Sequence, residues 1–517
     1  MCHCKAGEEV APLRMIIHGE GGTGKSRVIQ TITDLFASKG AAGLLVKGAY
    51  TGIAASLIGR KTLHNIGHIP VHKSQSSKAK IISDETRQKI QDFWRTYIYL
   101  IIDEYSMISK SFFNALEKNI ALTKAGNADG STFGGISVIL CGDLHQFPPV
   151  VGGLQDALYV PVAPGNTEDQ KLGRHLYEEF KTVVILTEQM RIIDPEWCDF
   201  LRKLRHGEAQ KSEVETLQKL VLGDPNCIPL DTNATDWSNA SLVTPRHGVR
   251  RAWNEAALHK YCEENEGRMY ICPARDTIKK RPLSLAERYG LALRMRAKTK
   301  FGKKRNIKND LPEYLSIAIG AQVMVVQNIE TDLDLANGAR GTIIGIVLDP
   351  LEPDILEDQS IVHLQHPPLY ILVKMERSRI LRLDGLEDGV IPIQPRTQNL
   401  QISVQQRKGK PAHRTVRREQ LPLTLAYAFT DYRAQGQTIV PVLIDIATPP
   451  GGKLNLFNVY VALSRSAGRH SLRLLRGFDP RIIMQGHTAE LLMEDDRLRR
   501  MDQVTRIVVE QGRKQVA

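Results

Sequence analysis

The chain has no apolar run approaching the ~18 residues needed to cross a bilayer as a helix. Its first residues, Met1-Cys-His-Cys-Lys5, lack the apolar core of a secretory signal. Cysteine is scarce and odd in number, seven scattered through 517 residues. That argues against a disulfide framework and for reduced thiols in an intracellular compartment. Cys2, His3 and Cys4 could hold a metal, but no second Cys/His pair stands near them. Acidic residues are what one stretch lacks: 279–308 holds twelve Lys/Arg against a single acid, Glu287. The chain's net charge is +12, so outside that stretch it is close to neutral. A smaller basic run follows at Arg407, Lys408, Lys410, Arg414, Arg417 and Arg418. Charge concentrated in this way fits a polyanion, with nucleic acid first among candidates. A solvated basic loop or a nuclear-import signal would look the same. The length suits three or four domains of ~100–200 residues each.

What the chain does have is Gly19-Glu-Gly-Gly-Thr-Gly-Lys-Ser26, which fits G-x-x-x-x-G-K-[ST]. A short apolar run, Leu13–His18, precedes it, and Val28, Ile32, Leu35 and Phe36 follow at helical spacing. Strand, glycine loop and helix form a phosphate cradle: Gly19, Gly21, Gly22, Thr23 and Gly24 offer backbone N–H groups, and the helix N-terminus adds its dipole. Lys25 would reach the β- and γ-phosphates, and the Ser26 hydroxyl would ligate Mg²⁺. The alternative is a glycine-rich turn with no ligand. Apolar runs at 13–18, 44–49, 97–103 and 136–142 alternate with helical or irregular segments, which predicts an α/β domain with a mostly parallel sheet.

The third of these runs ends in Asp103-Glu104. Two carboxylates at the end of a buried strand need a cation, and beside a phosphate loop that cation is Mg²⁺. Asp103 would bind it, and Glu104 would orient and deprotonate the attacking water. The fourth run leads into Gly142-Asp-Leu-His-Gln146-Phe-Pro-Pro149. There Gln146 can sense a γ-phosphate, and Phe147 with Pro148 makes an apolar ledge for a base.

With Thr51-Gly-Ile-Ala-Ala55, Asp103-Glu-Tyr-Ser-Met107, Gly142–Val150 and Val459-Tyr-Val-Ala-Leu-Ser-Arg465, the chain resembles the Pif/RecD branch of superfamily-1 DNA helicases, on the Pif side. The motifs stand in family order from residue 19 to about residue 477. The resemblance implies two RecA-like domains and an ATP- and Mg²⁺-dependent motor that moves 5′ to 3′ on single-stranded DNA and unwinds duplex DNA. It also implies nucleotide contacts from Arg27, Gln435 and Gly436, and two arginines at the ATP, Arg191 and Arg465. DNA contacts are implied from Thr51, Gly52, Thr62, His64, Thr244 and Asn254. Where the family has His-Lys-Ser before Gln-Gly, this chain has Tyr432-Arg433-Ala434, so those two side chains become its candidate DNA contacts. The expected division is a first domain over 1–178 with a wedge at about 65–95, a second over 179–275 and 421–480, a basic linker at 276–320, a β-barrel insert at 321–420 and a helical tail from 481. Relatives carry a base-reading glutamine upstream of the glycine loop. Only eighteen residues precede Gly19 here and none is glutamine, so the chain reads as the tail end of something longer or as a copy that lost its start. The protein is expected to be intracellular, nuclear and monomeric. A non-hydrolysing nucleic-acid-binding remnant and an ATPase acting on protein remain as alternatives.

Overall fold

A computed structural model describes residues 11–57, 62–69, 84–123, 131–230, 236–296, 311–330, 335, 337–356, 358–376, 382–405, 412–450 and 452–516. The Cys2-His3-Cys4 trio, residues 70–83 of the expected wedge, and 297–310 and 406–411 of the basic runs lie outside them. The chain divides into two compact units, Met1–His247 with Phe429–Ala517, and Gly248–Ala428.

The first unit opens with β1 (Arg14–Gly19), α1 (Lys25–Ser38) and β2 (Leu45–Ala49). Next come α2 (Gly52–Leu57), α3 (Leu63–Ile66), α4 (Asp84–Trp94), β3 (Tyr99–Asp103) and α5 (Lys110–Thr123). Then follow β4 (Ser137–Gly142), α6 (Glu168–Glu178) and β5 (Thr182–Leu186). The five strands form one parallel sheet in the order β2-β3-β4-β1-β5. Their apolar runs are continuous because both faces are covered. Ile16, Val46, Leu100 and Leu140 pack on one side with Phe113, Tyr177 and Phe180, and Ile17, Leu45, Ile101 and Ile139 on the other with Ile29 of α1. Parallel register aligns His18 with Gly142 and Ala49 with Asp103, so the loops after β1, β3 and β4 leave from the same edge. Residues 183–186, expected to open the second domain, are instead the edge strand β5, hydrogen-bonded to β1.

α7 (Pro195–His206), α8 (Lys211–Gln218) and β6 (Ser241–Val243) follow. α7 is delimited by ordinary signals: Asp194 accepts from Trp197 N at 3.2 Å, Pro195 takes the first turn, and Gly207 ends the helix at φ 70°.

The second unit contains α9 (His247–Glu264) from Gly248 onward, then β7 (Met269–Pro273), β8 (Arg275–Ile278), β9 (Arg281–Pro282), α10 (Leu285–Arg296) and β10 (Tyr314–Ala318). The stretch expected as a basic linker thus carries strands and a helix. β11 (Gln322–Val325), β12 (Arg340–Val347), β13 (Ile361–His363), β14 (Tyr370–Met375), β15 (Val390–Ile393), β16 (Arg396–Val404), β17 (Ala412–Gln420) and β18 (Leu423–Leu425) complete it. The expected β-rich texture is present, in three sheets of order β10-β7-β13, β15-β14-β12-β11-β18 and β16-β17-β8-β9. Among the described residues no pairing closes them into a barrel.

The chain returns through β19 (Ala428–Phe429), α11 (Asp431–Ala434), β20 (Val442–Ile444), α12 (Leu456–Leu463) and β21 (Leu472–Leu474). β20 lies between β6 and β21 in a second parallel sheet. The expected tail is α13 (Pro480–Ile483) and α14 (Ala489–Val516), and α14 is built into the first sheet's core through Leu491 and Leu498, both fully buried. Asp502 accepts from Ile185 N at 2.9 Å and Thr505 from Val183 N at 3.0 Å, so α14 covers the open edge of β5.

Candidate active site

The glycine loop turns sharply before α1, with Gly22 at φ 102° and Gly24 at φ 85°. Both lie in the left-handed region, which glycine enters without a Cβ clash. A Cβ on Gly19 would stand 2.5 Å from Thr23 Oγ1, so that position is closed by contact instead. Lys25 is buried, and its Nζ donates to Gly19 O at 2.7 Å and Glu20 O at 2.8 Å. Burial lowers its pKa. Ser26 and Arg27 are exposed, and of the two Ser26 lines the cavity.

Asp103 and Glu104 are both buried. Burial first, and the charge of Glu104 second, raise the Asp103 carboxyl to about 7. Burial also raises Glu104. Glu104 sits at φ 53°, uncommon for a residue with a Cβ, and Asp103 Oδ1 accepts its backbone N–H at 2.9 Å. The Gln435 amide donates to Glu104 Oε2 at 3.0 Å and to Gln146 Oε1 at 3.2 Å, tying three predicted residues together. Gly21, Gly22, Gly24, Lys25, Ser26, Asp103, Glu104, Gln146, Arg191, Gly436 and Arg465 line one cavity of about 480 Å³.

The two arginines differ. Arg191 lines the cavity, and its Nη1 donates to Ser464 O at 3.0 Å. Arg465 is fully buried and donates to Val461 O, Ala434 O, Gln437 O and Ser464 Oγ. Burial lowers it to about 9.

The sequence reading missed several contributors. Gln189 Nε2 donates to Gly21 O at 3.1 Å, and Met190 N to Gly22 O at 3.0 Å, so the segment before Arg191 lies on the glycine loop. Tyr460 accepts from Gly21 N and donates to Asp143, both at 3.3 Å. Asp143 also takes the guanidinium of Arg205 at 2.8 Å, and its pKa is held far down by that partner against the cost of burial. Tyr460 stands inside the Val459–Arg465 motif, but its role, like that of Arg205, shows only in space, because its partners are hundreds of residues away and the partner of Arg205 is 62 away.

The predicted nucleic-acid residues divide. Tyr432 is 45% exposed and stacks flat on Phe147, ring centroids 4.0 Å apart at 13°. Phe147 itself is buried, so it supports the exposed ring rather than forming the surface expected of it. Pro148 is half-buried, as are Thr51, Gly52, Arg433 and His64. His64 lies in an aromatic cluster with Tyr50 and Phe112, centroids 5.0 and 4.8 Å away, two rings that the sequence reading passed over. Thr62 is buried at the start of α3. Thr244 and Asn254 are corrections to the expected DNA face. Thr244 is fully buried and donates to Asp445 at 3.1 Å. Asn254 is buried and braces backbone: its amide donates to Leu425 O, and its carbonyl accepts from Tyr427 N and Ala428 N.

Known proteins share parts of this sequence and its fold. The family described as PIF1-like helicase matches residues 6–214, and the DNA helicase Pif1 2B domain matches residues 306–346. The ATP-dependent DNA helicase PIF1 of Mus musculus is 25% identical over 483 residues, 92% of this chain and 60% of its own length. The chain therefore spans about three fifths of that relative. The crystal structure of Pif1 helicase from Candida albicans superposes with a TM-score of 0.63 at 23% identity, covering 94% of this chain and 95% of that one. The Bacteroides Pif1 helicase solved in complex with ADP-AlF3 and single-stranded DNA superposes at 0.57 with 19% identity, covering 94% and 93%. Residues 6–214 are thus similar to PIF1-like helicases and residues 306–346 to the Pif1 2B domain, and the chain shares the fold of solved Pif1 helicases.

Proposed function

We propose that the protein hydrolyses ATP to drive 5′-to-3′ movement along single-stranded DNA and so to separate duplex DNA. The observation that carries this reading is the single cavity on which the glycine loop, the acidic pair, Gln146 and both arginines converge. Lys25 lies where it can exchange its two backbone carbonyls for phosphate oxygens. Glu104 is the general base for the attacking water, its carboxylate oriented by the Gln435 amide. Arg191 meets charge developing on the γ-phosphate, where a preorganised cation is most effective. Arg465, bound to Val461 and Ser464 of its own segment, to Ala434 at the end of α11 and to Gln437 just beyond it, is fixed in the wall of the site.

The site suits Mg²⁺. Asp103 and Glu104 are two buried carboxyls with Lys25 as a nearby cation that does not offset their burial, and Asp103 with the Ser26 hydroxyl would hold the ion. When bound, Mg²⁺ supplies charge neutralisation on the transferring phosphates. Tyr432 on its Phe147 support offers a face for a base, a sequence-tolerant contact suited to a motor. The Bacteroides relative's complex with single-stranded DNA is consistent with this partner.

ATP turnover measured with and without single-stranded DNA tests the reading. Stimulation by DNA is expected, and unwinding only of duplexes with a 5′ overhang. Absent turnover would make the protein a binding remnant, and turnover indifferent to DNA would direct the ATPase at another partner.

A further inference from the structure

Beside the nucleotide cavity lies a second cluster of chemistry-bearing side chains. His145, next to Gln146, is buried, and its Nε2 donates to Asp495 Oδ2 of α14 at 2.8 Å. His206 Nδ1 lies 3.7 Å from the same oxygen, and His487 Nε2 3.3 Å from His145 Nδ1. His145, His206 and Asp495 converge closely enough to suggest a cation site. The positions of the protons argue otherwise. His487 Nε2 lies 2.7 Å from Arg205 O, which can only accept, so that nitrogen carries a proton. It can share that proton only with a bare His145 Nδ1, which leaves the His145 proton on Nε2, facing Asp495. Arg205 Nη1, which can only donate, lies 3.3 Å from His206 Nε2, so the His206 proton is on Nδ1, again facing Asp495. A metal would need both of those nitrogens bare, and would turn two N–H groups against the donors of His487 and Arg205. The cluster is a closed hydrogen-bond network centred on one carboxylate.

That network clamps a turn of the active site. Asp143 is held by Arg205 and Tyr460, Asp143 Oδ1 accepts from His145 N at 3.1 Å, and Gln146 N donates to Asp143 O at 3.1 Å. Asp495 secures the side chain between these two fixed points. The Gln146 side chain is thereby aimed at Gln435 and the glycine loop, where a Cβ on Gly21 would stand 3.5 Å from its amide nitrogen. Asp495 has its own anchorage: Leu491 and Leu498 bury α14, and Tyr177 donates to Glu494 at 2.7 Å.

We propose that Asp495, acting through His145, is a positioning residue for Gln146, which makes α14 a working part of the ATP site. This rests on the ATPase reading above. A sensor displaced by a fraction of an ångström loses rate more than affinity.

The test uses the full chain and compares Asp495→Ala, Asp495→Asn and His145→Leu with the double variant Asp495→Ala/His145→Leu, alongside Thr505→Val. The last removes a different bond of α14, the one to β5, and serves as the stability control. Asp495→Ala is expected to lower DNA-stimulated kcat about tenfold or more, with KM for ATP within about twofold. Asp495→Asn keeps an acceptor for His145 and should retain most of the activity. The double variant should be no slower than Asp495→Ala alone. Thr505→Val should lower Tm without lowering kcat. A folded Asp495→Ala protein with wild-type kcat overturns the proposal, as do losses that multiply in the double variant. If Asp495→Ala does not fold, His145→Leu decides: wild-type kcat there overturns the proposal equally. A wild-type protein without turnover would instead defeat the ATPase reading.

Discussion

Glu104 combines two unfavourable features, a buried carboxylate and a left-handed backbone. A non-glycine residue held there costs on the order of 1–3 kcal/mol, and such costs persist where function requires them. Glu104→Gln keeps the shape and a hydrogen-bonding partner for Gln435 but removes the base. Turnover should fall by roughly 10²–10⁴, while Tm rises because a desolvated charge has gone. Steady-state ATPase with a melting curve checks both; a variant with wild-type turnover would place the base elsewhere. His18, one residue before the glycine loop, provides a pH signature. It is fully enclosed, and burial first, then the neighbouring Arg205, lower it to about 3. The unfolded chain takes up a proton there near the ordinary value of 6.5 while the folded protein does not. Its share of stability is therefore intact above 6.5 and is lost as pH falls from there towards 3, on the order of 2 kcal/mol by pH 5. His206 and His487, both lowered to about 4, act in the same direction. Tm should drop between pH 7 and pH 5, and a His18→Asn variant should show a shallower drop.

Among the elements, α11 carries the departure from the family pattern, and its geometry gives that departure a use. Tyr432 faces outward on Phe147 while Gln435, three residues on, reaches Glu104. One short helix thus presents a stacking face, and the residue that ends it touches Glu104. Tyr432→Ala should weaken single-strand affinity by ~1–3 kcal/mol, measured by fluorescence anisotropy, whereas Tyr432→Phe should bind nearly as the wild type does. Equal affinities for all three would remove Tyr432 from the DNA surface. Elements of this kind were legible in the sequence where chemistry is local: the glycine loop, the acidic pair after β3 and the Gly142–Pro149 turn each announce themselves within a dozen residues. Pairing in space was not legible. Residues 183–186 read as a new domain because an edge strand of a parallel sheet has the same apolar texture as a first strand. The 276–320 stretch read as linker because its charge masked the alternation of β8 and β10. Thr244 and Asn254 were expected as DNA contacts from the family resemblance alone, which carries no information on burial, and both are buried. The mixed-charge segment after 481 gave no hint that Leu491 and Leu498 enter the core while Asp495 reaches His145.

At the scale of the whole molecule, the basic charge is carried by the second unit, away in sequence from every catalytic residue. Part of it is internally spent: Arg418 is fully buried against Asp276, and Arg281 pairs with Glu287 at 2.7 Å. Lys279 and Lys280 are different. They form the two-residue turn joining β8 to β9, where Ile278 pairs with Arg281, and both sit at positive φ, 50° and 64°. Turns of that kind favour Asn-Gly, and two lysines there are strained by about 1–2 kcal/mol each. A chain that keeps two exposed ammonium groups on a strained hairpin tip has a use for them, and a phosphate backbone is the partner that the surrounding charge selects. Replacing the pair, Lys279→Asn with Lys280→Gly, should therefore separate folding from binding. Tm should rise, since the turn gains residues that accept its geometry. The slope of log K against log [salt] for single-stranded DNA should fall by about 1.4, ~0.7 for each phosphate no longer neutralised. ATP turnover without DNA should be unchanged, because the nucleotide cavity lies wholly in the other unit. A variant that is stabilised yet keeps the wild-type salt slope would show the hairpin tip to be a solvated turn.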